Sequence, residues 1–136
     1  MATRAGRIWM WVGFFVAVVA IGFAGKAGAD STITVSNETG YYLGIVKYVR
    51  VDGEAKVLVG QTHLSEGDSH PFHLSVPGYH VVYIAFERDG EPVYAKGNVY
   101  RIWDWQSATV TLKKVVFTDE GNAVYDISQS EFERLK

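Results

Sequence analysis

After residue 30 the chain reads as short runs in which apolar and polar residues alternate with a period of two, each run stopped by a cluster of turn residues. The clearest stretch is Phe72 to Gly90. Phe72, Leu74 and Val76 alternate, Pro77-Gly78 suits a type II turn, and Tyr79 to Arg88 continues as an apolar run that ends at Asp89-Gly90. Upstream, Thr32 to Ser36 alternates and is broken by Asn37-Glu38-Thr39-Gly40. Tyr41 to Val51 predicts a long strand that bulges or bends at Gly44. Asp52-Gly53 signals a hairpin whose return strand is Ala55 to Val59, and Gln61 to Ser69 reads as connection.

Downstream, Ser69 to Val76 and Tyr79 to Arg88 are strands. Pro92 to Lys96 is an edge strand or begins just after Pro92, because proline cannot donate to a ladder. Val99 to Trp105 and the β-branched run Ser107 to Thr118 follow, and a turn at Asp119 to Asn122 precedes Ala123 to Ile127. Ser128 with Glu131 fits a capping box, so the tail to Lys136 is a short helix that docks Phe132 and Leu135. About eight short strands with turn chemistry between them predict an all-β fold, a small antiparallel β-sandwich with a short C-terminal helix. The shape expected is prealbumin-like or immunoglobulin-like. Pro77-Gly78-Tyr79-His80-Val81 resembles the turn and strand of several prealbumin-like secreted sandwiches, a likeness of shape over five residues that names no family.

The first 29 residues have a different character. Arg4 and Arg7 precede an apolar run from Ile8 to Gly25, and Ala27-Gly28-Ala29 supplies the small residues of a secretory cleavage site. Residues 1–29 are therefore expected to be a signal peptide cut after Ala29, leaving 30–136 as one sandwich domain. The competing reading is an uncleaved membrane anchor, since about 17–25 apolar residues can span a bilayer. Three glycines within the run and the Ala-Gly-Ala site favour removal. Removal takes Arg4, Arg7 and Lys26 away and leaves ten bases against fifteen acids, a net charge of −5. An acidic domain lacks the basic footprint that nucleic acid or an anionic membrane surface requires. With no cysteine, the exported domain relies on its core alone, which favours a bacterial envelope protein in the periplasm or outside the cell. Asn37-Glu38-Thr39 is formally a glycosylation acceptor.

Chemical hardware is sparse. No serine sits in a nucleophile elbow, there is no thiol, and no His-Glu-x-x-His pattern occurs, so no catalytic residue and no cofactor is assigned and the chain is read as a non-enzyme. His70 and His73 would point to opposite faces of one strand. His73 and His80 are the weak metal candidates, sharing a face if Pro77-Gly78 closes a hairpin that pairs 73 with 82 and 75 with 80.

The candidate binding residues are Tyr94, Arg101, Trp103, Asp104 and Trp105. Alternation places Trp103 and Trp105 on one face with Val99 and Arg101, and Ile102 on the other with Tyr100 and Asp104. Both faces carry apolar weight, so the tryptophans are either core or an exposed platform. The expected function is a non-enzymatic binding or adaptor domain of the cell envelope, contacting a protein or glycan partner through an aromatic patch. Two alternatives are a structural envelope protein that assembles through sheet edges, favoured if a long edge such as Ser107 to Thr118 is exposed, and a small carbohydrate-active hydrolase.

Overall fold

In the computed structural model, which describes residues 15–23, 31–103, 106–123 and 125–136, alternation becomes two stacked sheets. The strands are β1 (Phe15–Phe23), β2 (Ser31–Asn37), β3 (Leu43–Asp52), β4 (Ala55–Leu64), β5 (Ser69–Leu74), β6 (Gly78–Arg88), β7 (Glu91–Lys96), β8 (Tyr100–Ile102) and β9 (Gln106–Leu112). One helix, α1 (Gln129–Glu133), follows. The first sheet runs β1-β9-β2-β5, with β2 and β9 parallel and the other pairs antiparallel. The second runs β4-β3-β6-β7, and β8 pairs with the start of β6. The fold is an all-β sandwich with one short C-terminal helix.

Each sheet turns one set of alternate side chains inward. Ile33 and Val35 of β2, Phe72 and Leu74 of β5, and Ala108, Val110 and Leu112 of β9 meet Val46 and Tyr48 of β3, Val82, Ile84 and Phe86 of β6, and Ile102 of β8. A second, smaller cluster lies on the outer face of the five-stranded sheet, where Val49, Val81, Tyr83 and Ala85 are covered by Ile127, Phe132 and Leu135. That double burial explains why β6 is closed to solvent continuously from His80 to Phe86 rather than at every second residue.

The local signals act as chemistry predicts. Asp89 and Gly90 both take positive φ, 54° and 80°, and close the two-residue β6–β7 hairpin, whose right-handed twist such turns match. The β3–β4 register shifts between Leu43 and Val46, which is the bulge expected at Gly44. Asn37 sits at the end of β2 with its side chain saturated. Its Nδ2 donates to the Tyr41 and Leu64 carbonyls at 2.8 and 3.0 Å, and its Oδ1 accepts from the Thr39 N–H and hydroxyl at 3.0 and 2.7 Å. A fully buried, fully hydrogen-bonded amide ties the two sheets together at this end and offers nothing to a glycosylating enzyme.

Other elements differ from expectation. The Pro77-Gly78 segment is not a hairpin turn: β5 belongs to the first sheet and β6 to the second, so the segment arches from one layer to the other, with Gly78 at φ 136°. The strand expected to stop at Val59 continues to Leu64, paired with β3 through the stretch read as connection. The Ser107 to Thr118 run leaves the sheet after Leu112, and its later part makes the isolated Phe117–Ala123 bridge.

Candidate functional site

Strand β8 is three residues long and is held by pairing Arg101 opposite Tyr79 and Tyr100 opposite His80. The alternation along it splits the segment into two chemistries. Tyr100 and Ile102 turn inward to the core, whereas Arg101 and, two residues on, Trp103 turn outward beside Tyr79. The Arg101 guanidinium stands 3.9 Å over the Trp103 ring and 5.3 Å from the Tyr79 ring, and its Nη1 donates to the Tyr79 hydroxyl at 3.4 Å. A guanidinium stacked on aromatic faces keeps its remaining N–H groups free at its edge while its flat surface is spoken for. Trp103 and Tyr79 remain 54% and 49% exposed, and Val99, two residues before Arg101, is exposed as well. The Trp103 backbone is anchored, because its carbonyl accepts from the Ser31 hydroxyl at 2.8 Å. The patch is thus aromatic, cationic, solvent-facing and held from both sheets.

Tyr94 does not join it. It lies opposite Ala85, six residues along β6 from Tyr79, which is about 20 Å at the rise of a strand. Its ring packs 5.3 Å from Phe132 and lines a separate, largely apolar cleft of about 520 Å³ with Tyr42, Gly44, Ile45, Glu87 and Pro92. Helix α1 sits between the two regions on the same outer face. Asp104 and Trp105 lie outside the described residues.

Compared with family models, curated proteins and solved structures, the chain matches none. The fold separates the two histidines singled out as weak metal candidates. His73 is exposed on β5, its Nδ1 3.3 Å from the Thr32 hydroxyl, whereas His80 is fully buried between the sheets. The pairing of 73 with 82 that would have put them on one face does not form, since the two strands lie in different layers. Among the described residues no three His, Asp or Glu side chains converge as metal ligands.

His80 instead belongs to an interior polar cluster that alternation alone did not reveal. Its ring lies 5.3 Å from Tyr48 and 6.4 Å from Tyr100, and the Tyr100 hydroxyl donates to that of Tyr48 at 2.8 Å. Neither ring nitrogen of His80 makes a hydrogen bond of ordinary geometry. Burial pulls its pKa down from 6.5 to about 4; the nearby Gly78 backbone opposes this and Arg50 adds to it. Burial likewise pushes both tyrosines above the usual phenol range. Held neutral and sealed from solvent, these groups shape the core and present nothing to a substrate.

Proposed function

We propose that residues 30–136 form an exported, non-enzymatic binding or adaptor domain of the cell envelope, and that Tyr79, Arg101 and Trp103 are its contact surface for a protein or glycan partner. The observation that carries this reading is the exposed guanidinium–indole stack. Trp, Tyr and Arg are the side chains that dominate binding hot spots, and here all three are ordered by contact with one another before any partner arrives. A preorganised platform loses little side-chain freedom on binding. The acidity of the domain, and a sequence with no thiol, no serine in a nucleophile elbow and no His-Glu-x-x-His pattern, favour recognition over catalysis.

The test compares Trp103→Ala with Ile102→Ala, its inward neighbour. Trp103→Ala should leave melting nearly unchanged and weaken capture of an envelope protein or of a glycan from a defined panel by about 2 kcal/mol or more. Ile102, 1% exposed, should instead cost roughly 2–5 kcal/mol of stability. Acrylamide quenching of Trp103 fluorescence is the rapid first measurement. Binding that ignores Trp103→Ala and Arg101→Ala alike would remove the patch from the function.

A further inference from the structure

The edges of the two sheets are not equally protected. Strand β5 carries Pro71 at its centre, β7 carries Pro92 between Glu91 and Lys96, β4 carries Lys56 and a register irregularity, and β8 is three residues long and bears Arg101. These are the devices by which natural sheets prevent edge-to-edge pairing. Strand β9, Gln-Ser-Ala-Thr-Val-Thr-Leu, has none of them: no charge, no proline and no glycine in seven residues. In the full chain its outer edge is occupied, since β1 runs antiparallel along it with Phe23 opposite Gln106 and Phe15 opposite Leu112. β1 lies entirely within the segment expected to be removed at Ala29. The edge left without a guard is the one that the leader covers.

We propose that the domain beginning at Asp30 associates with a second copy of itself through this uncovered edge, β9 pairing antiparallel with β9 across a two-fold axis at Thr109. The pairing is self-complementary. Ser107 of one copy would lie opposite Thr111 of the other, Ala108 opposite Val110, and Thr109 opposite Thr109, so that small hydroxyl side chains meet on the outer face and apolar ones on the core face. The two three-stranded sheets then join as one of six, in the order β5-β2-β9-β9-β2-β5. The outer strands of the joined sheet are then the two copies of β5, whose central Pro71 limits further strand addition. This association is independent of the aromatic patch, which lies on the other sheet.

The test uses the chain starting at Asp30, in which β9 keeps its six parallel pairings with β2. Native mass spectrometry and sedimentation across a concentration series should show a dimer. Thr109→Lys and Thr109→Glu each place like charges opposite one another and should weaken the dimer by about tenfold or more, whereas an equimolar mixture of the two should restore it. Hydrogen exchange on the unsubstituted protein supplies a second readout that needs no variant: amides of residues 106–112 should become protected as the dimer forms. A monomer at every concentration overturns the proposal. So does a dimer that is indifferent to both substitutions, or one that leaves residues 106–112 exchanging as fast as in the monomer.

Discussion

His80 illustrates how one side chain can make a core conditional. Its ring fills the space between Tyr48 and Tyr100, yet both nitrogens are buried without a hydrogen bond of ordinary geometry, which costs desolvation that an apolar residue would not incur. The folded-state pKa, about 4, lies below the ordinary 6.5. Below pH 6.5 the unfolded chain therefore takes up a proton that the native ring refuses, and the stability present above that pH is lost as the pH falls towards 4. The linkage amounts to roughly 3 kcal/mol over this window. His80→Leu should be neutral or stabilising at pH 7 and should show that much less loss between pH 7 and pH 4 in paired urea unfolding curves, where the carboxylates common to both proteins cancel. Equal pH dependence in the two proteins would mean that the ring is protonated in place. At this scale the sequence left Trp103 undecided for a physical reason: Tyr100 and Ile102 are as apolar as their neighbours, and only the pairing of β8 with β6 settles which set faces water.

Among the elements, α1 is the one least able to exist alone, since five residues cannot sustain a helix in water. Its start was legible in Ser128, whose Oγ accepts from the Glu131 N–H at 3.0 Å as a capping residue should. Its end was not. Lys47, in the middle of β3 and almost fully buried, reaches across from the sheet to donate to the Phe132 and Leu135 carbonyls at 2.8 and 2.9 Å while its ammonium lies 4.4 Å over the Phe132 ring. Desolvation lowers its pKa, and Glu133 partly offsets this. A lysine inside a strand gives no hint that it caps a helix more than eighty residues away. Lys47→Met keeps the aliphatic stem but leaves both carbonyls bare, and should cost about 2 kcal/mol. Hydrogen exchange should place the loss at residues 128–136 and the underlying Val81 and Tyr83, with β2, β5 and β9 unaffected. The same distinction between local and distant information runs through the strands. Alternation and turn chemistry located β2, β3, β6 and β7 closely, but Pro77-Gly78 looks alike in a hairpin and in an arch. The polar end of β4 looked like a loop because an edge strand can face water.

For the whole molecule, two roles are available to residues 1–29, and they leave different physical traces. Read as sequence, they have the charge, apolar run and small-residue site of a leader; in the folded chain, Phe15 to Phe23 supply an outer strand to β9. Cleavage is compatible with stability only if the sandwich stands without that strand. β9 remains fixed on its other edge by six parallel pairings with β2, from Thr32–Ser107 to Asn37–Leu112. If residues 1–29 are a leader, N-terminal sequencing should find the protein beginning at Asp30, and the chain from Asp30 to Lys136 should unfold in one cooperative transition as a domain of this size does. A membrane-bound product that retains residues 1–29 would identify an anchor instead. A soluble product that retains them, together with failure of the shorter chain to fold, would make β1 an integral strand of the sandwich and close the β9 edge for good.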